Sequence, residues 1–339
     1  KNKKKMTFWG ENGWDLNKKL WDFQEIKHDI WNSDIPAPPV LTSIKKNNVS
    51  IDVVVAVSKT GNTIILDRLS GQPIFDYRKK KAPRSKIPGE KTAYYQPYLN
   101  LPEPFSKQFF SKKEISNISN ESKIFIENKV KNSNFGFFEP HELGKDTIFF
   151  GFHGGGEWMG ASINNNNGMM YITSNNIPTI GNVREVNSNF SYNKYFSEFE
   201  RLFDQNGYPG SKPPWGNLTA LNLNNGKIKW QVPFGEYEEL TNLGIDLTGT
   251  ENFGGATGTA GNIIFATGTL DKKIRAFNSH NGKEMWSYKM DFVGSGPPSI
   301  YAINGEQYIV VASTGSYSLS KAYSVDFGNI LYCFKLKNE

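Results

Sequence analysis

A pattern of a small residue, a turn glycine and a large aromatic residue recurs along the sequence at a nearly constant spacing. In residues 218–230 and 274–286 an alanine is followed six positions later by glycine and ten positions later by tryptophan. The tryptophans that end these two ranges are 56 residues apart. A weaker copy ends at Phe75, and another ends at Trp21 with Asn17 in the glycine position. Such a period indicates an array of similar structural units.

Each copy predicts two strands joined by a tight turn. The apolar side chains alternate, and the turn position suits glycine, or asparagine as its substitute, because it needs a positive φ. Further strands are predicted at 18–24, 52–57, 169–173, 262–267 and 307–312. Four-stranded units of about 40–55 residues are typical of β-propeller blades. We therefore predict an all-β propeller of roughly four to five blades, with a closing strand at 330–336.

Composition supports many short strands and excludes several functional classes. The 339 residues include 32 glycines, eight tryptophans and 14% aromatic residues, which favour strands over helices. The net charge is +6, but the lysines are scattered through turns without an aromatic platform, so we expect no nucleic-acid partner. The single cysteine, Cys333, excludes an internal disulfide and is expected in the core. We expect no signal peptide and no membrane segment, hence a soluble chain.

Residues 27–39 form the stretch best suited to chemistry. A histidine, two aspartates and a tryptophan lie within residues 28–34, and three prolines stiffen residues 36–39. The stretch lies between predicted strands, and rigid loops of this kind usually carry function in β proteins.

The motifs here resemble those of the PQQ-dependent dehydrogenases. The motif His-Asp-x-Trp-x-x-Asp-x-Pro-Ala-x-Pro spans residues 28–39, Ser-Lys-Thr-Gly-Asn follows at 58–62, and Leu-Asp-Arg-x-x-Gly follows at 66–71. The resemblance is closest to the membrane-bound glucose, quinate and shikimate dehydrogenase branch. It implies an eight-bladed propeller, of which residues 1–339 match the C-terminal half, with insertions at about 80–150 and 187–214. The second insertion is expected at the surface. The first blades and the membrane helices of that branch are expected to be absent from this chain.

The resemblance implies two catalytic positions. The catalytic base of the family follows the tryptophan of the first motif, where this chain has Asn32, and an amide cannot accept a proton at useful pH. Three neighbours are alternatives for that role: His28, Asp29 and Asp34. A purely structural alternative is a turn in which the aspartates bind backbone amides. Lys59 matches a basic residue that polarises the quinone, with an ordinary surface lysine as the alternative.

Further positions match cofactor contacts of the family. Asn175 matches an asparagine that contacts the cofactor, with Ser174 and Asn176 as alternatives. Phe253 and Gly254 match another cofactor-facing stretch. Trp158 is a candidate contact in the glycine-rich residues 154–160, which allow close approach of a ligand or of a neighbouring blade, although core packing of this tryptophan is the favoured alternative. The remaining histidines, which share no metal-ligand spacing, are His141, His153 and His280.

The resemblance implies an oxidoreductase that transfers hydride from a sugar or polyol to PQQ. Members of this branch pass electrons to ubiquinone and work in the periplasm at the inner membrane. The calcium or magnesium ligands, and the residue stacked under the quinone, are expected in the absent blades. Two alternatives stay open: a non-catalytic scaffold propeller, as in outer-membrane assembly, and an inactive split-gene fragment. Because an open half-propeller leaves sheet faces uncovered, a complementing N-terminal chain is an expected partner.

Overall fold

The structure, a computed structural model, describes residues 19–186 and 194–336. Strands dominate these residues, and the helices are short. The strands are β1 (Val40–Lys46), β2 (Val49–Val57), β3 (Thr63–Asp67), β4 (Lys79–Lys81), β5 (Tyr95–Pro97), β6 (Asn134–Phe135), β7 (Thr147–Phe149), β8 (Ser162–Asn164), β9 (Met169–Asn175), β10 (Thr179–Glu185), β11 (Tyr195–Arg201), β12 (Gly216–Asn222), β13 (Lys227–Pro233), β14 (Asn252–Gly258), β15 (Ile263–Thr269), β16 (Lys273–Asn278), β17 (Glu284–Lys289), β18 (Ser299–Ile303), β19 (Glu306–Ser313) and β20 (Ile330–Lys335). The α-helices are α1 (Asn120–Lys129), α2 (Glu238–Asn242) and α3 (Tyr317–Tyr323).

Four antiparallel sheets pack face to face in series. Sheet I holds β1–β3, sheet II holds β8, β9, β12 and β13, sheet III holds β14–β17, and sheet IV holds β18–β20. Strand β9 shows how the sequence specifies this arrangement, because its side chains alternate between two neighbours. Met170 and Ile172 pack towards sheet I, while Met169 and Tyr171 pack towards sheet III. These stacked sheets are propeller blades, which confirms the predicted fold class.

Aromatic residues of one sheet pack on turn glycines of the next. Gly282 has φ +73°, and a Cβ there would lie 2.7 Å from Cε3 of Trp230. The indole Nε1 of Trp230 donates to the carbonyl of Ser279 at 3.0 Å. The positive φ and the close ring together require glycine at this turn.

The same contact recurs earlier in the chain. Gly71 has φ +69° beneath the ring of Trp21, whose Nε1 donates to the carbonyl of Arg68 at 3.1 Å. Phe75 packs on Gly226 in the same way but has no indole donor. In both tryptophan copies the accepting carbonyl lies three residues before the glycine. Asn17, expected to occupy the glycine position of the first copy, lies outside the described residues.

Both insertions contain regular secondary structure. Residues 80–150 contain the β4–β5 pair and α1, which begins with Ser119 Oγ accepting from the backbone N–H of Ser122. Strands β6 and β7 join β10 and β11 in a further sheet. The prediction of a surface insertion at 187–214 is wrong for part of its length, because Leu202 and Ser211 are fully buried. Residues 187–193 lie outside the described part of the chain.

Two smaller predictions are corrected. Residues 19–24 form no strand. Cys333 is exposed rather than in the core: it lies on β20, where Tyr332 and Phe334 turn towards sheet III and the residue between them turns outward. Among the residues that the structure describes, no helix is both long enough and apolar enough to span a bilayer.

Candidate functional site

Lys59 lies at the centre of a group of loops at one end of the sheets. It follows β2, whose buried valines fix the start of the turn. Its Nζ donates to Oδ1 of Asp34 at 2.9 Å, and its backbone N–H donates to the carbonyl of Asp34 at 3.2 Å. Only 5% of the residue is exposed, so the surface-lysine alternative is wrong. A buried ammonium with a single carboxylate partner can also bind a further polar group.

Asn32 lies next to the Lys59 ammonium. It has φ +58°, a conformation that asparagine tolerates better than most residues. In the amide orientation that satisfies both of its polar atoms, its oxygen accepts from Lys59 Nζ and its nitrogen donates to Asp34 Oδ1, each at 3.3 Å. The structure therefore brings the two predicted catalytic positions into contact.

The three alternatives to Asn32 as catalytic base bind different partners. Asp29 Oδ1 accepts from the backbone N–H of Trp31 at 3.0 Å, as the turn-forming alternative predicts. His28 contacts Glu90 at 2.5 Å. Asp34 is the one of the three whose carboxylate binds Lys59.

The glycine-rich segment approaches the backbone of Lys59. A Cβ on Gly155 would lie 2.1 Å from the Lys59 carbonyl oxygen, so no other residue fits there. Gly156 N–H donates to the carbonyl of Ser58 at 2.9 Å, and Gly155 N–H donates to the carbonyl of Asn175 at 2.8 Å. These contacts clamp the segment between sheets I and II and fix the residue that follows, Glu157.

Asn175 is buried and uses its whole side chain to join two sheets. Its Oδ1 accepts from the backbone N–H of Asn252 at 2.9 Å and from Nδ2 of Asn252 at 2.8 Å. Its Nδ2 donates to the carbonyl of Asn252 at 3.0 Å. The nearby alternatives are engaged as well, because the carbonyl of Ser174 accepts from Asn252 and the amide of Asn176 donates to Pro214. Asn175 thus connects sheet II to sheet III beside the Lys59 turn.

The remaining predicted contacts are spread more widely. Phe253 packs in a cluster with Val293 and Leu319. A Cβ on Gly254 would lie 2.2 Å from the carbonyl oxygen of Thr267, so this glycine permits close approach of β14 and β15. Trp158 is 71% exposed, and the core-packing alternative for it is wrong.

A buried ion pair lies beside Asn252. Glu251 is fully buried and accepts from Arg201 Nη2 at 2.7 Å and Nε at 2.8 Å. Tyr323 donates to the same carboxylate at 2.8 Å. Burial raises the pKa of Glu251, while the Arg201 charge and hydrogen bonds oppose that shift. No motif pointed to Arg201, because this residue lies in the insertion that was expected at the surface.

The charge of Lys59 acts on two further titratable groups, Glu157 and His153. Glu157 is buried, its Oε1 has no hydrogen-bond partner, and burial raises its pKa well above the usual range. The pKa of His153 is lowered to about 3 by burial and by the charges of Arg201 and Lys59, which keeps the imidazole neutral. Glu157 lies within the glycine-rich residues 154–160, but nothing in the sequence shows that its side chain is buried.

A third buried carboxyl group, that of Glu25, binds the side chains of the Lys59 turn. Glu25 Oε1 accepts from Ser58 Oγ at 3.0 Å, from Thr60 Oγ1 at 2.9 Å and from Asn62 Nδ2 at 2.9 Å. Its Oε2 has no partner. Burial raises the pKa of Glu25 to about 7 despite these three hydrogen bonds. The residues on both sides of Lys59 are therefore tied to one carboxyl group.

The described residues contain no group of three or more histidine, cysteine or acidic side chains that could hold a metal ion. The site is instead a set of polar and charged groups between stacked sheets, with a buried lysine at its centre. Antiparallel sheets packed in series and joined by aromatic–glycine contacts, with such a site at one end, define a β-propeller.

Comparison with known proteins gives the family. The sequence profile described as PQQ, "Glucose/ethanol/alcohol dehydrogenase, beta-propeller domain", matches residues 17–309, and the chain belongs to this family. It is 28% identical over 348 residues to quinoprotein glucose dehydrogenase A of Acinetobacter calcoaceticus, covering 94% of this chain and 43% of that protein. It is 25% identical to the quinate/shikimate dehydrogenase (quinone) of Acinetobacter baylyi, covering 94% and 42%.

Solved structures agree on the fold. A europium-containing methanol dehydrogenase superposes with a TM-score of 0.63 at 18% identity, covering 95% of this chain and 51% of that one. The chain spans less than half the length of the curated relatives named above. The prediction of a PQQ-dehydrogenase-type propeller is confirmed.

Proposed function

We propose that this chain contributes the Lys59 side of the active site in a PQQ-dependent dehydrogenase that oxidises a sugar or polyol. The observation that carries the proposal is the buried Lys59 ammonium, held between Asp34 and Asn32 at the end of a family propeller. The relatives are named as glucose and quinate/shikimate dehydrogenases, which supports a polyhydroxylated small-molecule substrate.

The residues present fit PQQ in two respects. Lys59 supplies a desolvated cation suited to a quinone oxygen, and Glu157 leaves a buried oxygen unpartnered beside it. When bound, PQQ supplies the acceptor for the hydride. Lys59 would hold the quinone oxygen and stabilise negative charge there, and Asn32 would orient the lysine through its amide oxygen.

Asp34 is the proposed base for the substrate hydroxyl. Position 32 cannot serve because an amide has no useful basicity. Asp29 is occupied by its own turn, and the His153 imidazole, with its pKa lowered to about 3, is too weak a base. Asp34 is half-buried and its carboxylate lies 2.9 Å from Lys59, where it can take the hydroxyl proton.

The broader setting is also part of the proposal. Electrons would pass to ubiquinone, and the enzyme would face the periplasm, as in the branch that the sequence resembles. Calcium or magnesium would be held by the N-terminal blades of the family, which the matched region of this chain does not include. Further blades, supplied by another polypeptide or another segment, would cover the open face of sheet IV.

A cofactor titration tests this function. PQQ and calcium are added to the chain, alone and with a polypeptide carrying N-terminal blades of the family, while the PQQ absorbance is followed. Lys59→Met should weaken PQQ binding at least tenfold, because it removes the buried cation. Lys45→Met removes an exposed lysine on β1 and should bind PQQ like the wild type. No absorbance change with the wild type under either condition would leave the scaffold alternative.

A further inference from the structure

Charge balance around Lys59 singles out Glu157. Four charged groups act electrostatically on its carboxyl: Lys59, Asp34, Arg201 and Glu251. They form two ion pairs, Lys59 with Asp34 at 2.9 Å and Arg201 with Glu251 at 2.7 Å. Because each cation already has a carboxylate, an ionised Glu157 would be a buried charge without a partner, which is costly. Glu157 is therefore neutral in this environment, in agreement with its raised pKa.

The backbone fixes this neutral carboxyl next to the quinone-binding lysine. Gly156 N–H donates to the Ser58 carbonyl at 2.9 Å. Glu157 follows Gly156 and Lys59 follows Ser58, so this backbone hydrogen bond holds the two residues close together. The segment cannot move away, since Gly155 contacts the Lys59 carbonyl directly and is bonded to Asn175. Oε1 of Glu157 is buried and has no hydrogen-bond partner in the protein. A buried polar atom of this kind in a native site calls for a ligand or a proton-transfer role.

Two carboxyl groups in different environments take opposite roles in acid–base chemistry. Asp34 is half-buried and its carboxylate binds the Lys59 ammonium, so it is placed to accept a proton. Glu157 is buried without a cation of its own, so it carries a proton that it can donate. Lys59 is bonded to Asp34 through its side chain, and its charge acts on Glu157.

We propose that Glu157 is a second acid–base residue of the site, which hydrogen-bonds the quinone oxygen held by Lys59 and donates its proton there. This role rests on the dehydrogenase function proposed above. Oxidation of an alcohol to a carbonyl compound releases one hydride and one proton. The hydroxyl proton goes to Asp34, the hydride carries both electrons to the quinone, and the Glu157 O–H bond breaks as a quinone O–H bond forms. Exchange of the proton on half-exposed Asp34 through solvent returns a proton to Glu157.

The first test needs no cofactor. Infrared spectra of the chain at neutral pH should contain a carbonyl band from protonated Glu157 that is missing from Glu157→Gln. The control Glu200→Gln replaces an exposed glutamate on β11 and should leave this band unchanged. Because glutamine has the same shape and is neutral, the variant should keep the wild-type fold, checked by circular dichroism. An identical carbonyl region in wild type and Glu157→Gln would overturn the proposal.

The second test uses the PQQ-loaded complex. Glu157→Gln should bind PQQ within threefold of the wild type, since the amide can still donate a hydrogen bond, but should lower kcat on the order of a hundredfold or more. Glu157→Asp keeps an acid and should recover part of the loss. An unchanged kcat in Glu157→Gln with PQQ bound would overturn this role alone. Absence of PQQ binding by the wild type would instead reject the dehydrogenase function, and this role with it.

Discussion

At the scale of single residues, the Lys59 site depends on how three buried carboxyl groups are held. Glu251 has a guanidinium partner and Glu157 has none, while Glu25 has three neutral donors on one oxygen. Those donors are Ser58, Thr60 and Asn62, which flank the lysine. Because the three environments differ, each carboxyl responds to pH in its own way. Glu25 has the response that can be measured most directly.

Glu25→Gln should flatten the dependence of stability on pH. The pKa of Glu25 is raised from 4.5 to about 7 in the fold, so the folded state binds more protons than the unfolded chain between these values. Stability from this group is therefore present below about pH 4.5 and is lost as pH rises towards about 7, by roughly 3 kcal/mol in all. Glutamine does not titrate, and urea unfolding across this range should show a smaller decline in the variant.

The control for this prediction is Glu127→Gln, which changes an exposed carboxylate on α1. Its free energy of unfolding should follow the wild-type curve at each pH. If the wild type and Glu25→Gln keep a constant difference from pH 4.5 to 7, Glu25 does not titrate as its burial requires.

Single residues were predictable where a local motif specifies them. Short motifs pointed to Lys59 and Asn32, and the structure places the two side chains in contact, while their catalytic roles stay predictions. Glu157 and Arg201 could not be found this way, because their importance comes from burial and from contacts between distant segments. The role of Asn175 as a cofactor contact stays a prediction, and its side chain bonds Asn252 of the next sheet, a partner that no local pattern reveals.

At the scale of elements, the aromatic–glycine contact is the unit that joins one blade to the next. The ring of Trp230 and its Nε1 donation to Ser279 tie β13 to the β16–β17 turn at Gly282. The turn and the aromatic position of each copy were predictable from the local repeat, but the contact was not, because Trp230 packs on the turn glycine of the following copy. The sheet of β6, β7, β10 and β11 was not predictable. Its strands β7 and β10 pair although β8 and β9 of sheet II lie between them in the sequence.

Gly282→Ala should destabilise the protein for two separable reasons. Its φ of +73° is unfavourable for alanine by about 1 kcal/mol, and the added Cβ would overlap the Trp230 ring. Overlap in a packed region adds roughly 2 kcal/mol. Gly305→Ala is the matched control, since Gly305 has φ +82° but nothing within 4 Å of an added Cβ. Urea unfolding should give a small loss for the control and a clearly larger one for Gly282→Ala; equal losses would show that the ring contact contributes nothing.

At the scale of the whole molecule, sheet IV differs from the other blades because no other sheet of the described residues packs on its outer face. The face towards sheet III carries Ile309 and Val311, which are buried. The opposite face carries Tyr301 and Tyr308, whose rings stack at 5.4 Å, together with Leu331, which is 68% exposed. An apolar sheet face of this kind is the surface on which each described blade receives its neighbour, so it supports the proposal of further covering blades.

Cys333 provides a direct probe of that face, because it lies on β20 between the inward-facing Tyr332 and Phe334 and is exposed. In the chain alone a maleimide should label it rapidly. Co-expression with a polypeptide carrying N-terminal blades should slow labelling at least tenfold, because a packed sheet excludes the reagent. The control carries Cys333→Ser with Asn166→Cys on the β8–β9 turn, and its labelling rate should not change. Equal rates at Cys333 with and without the bound polypeptide would show that the covering blades pack elsewhere.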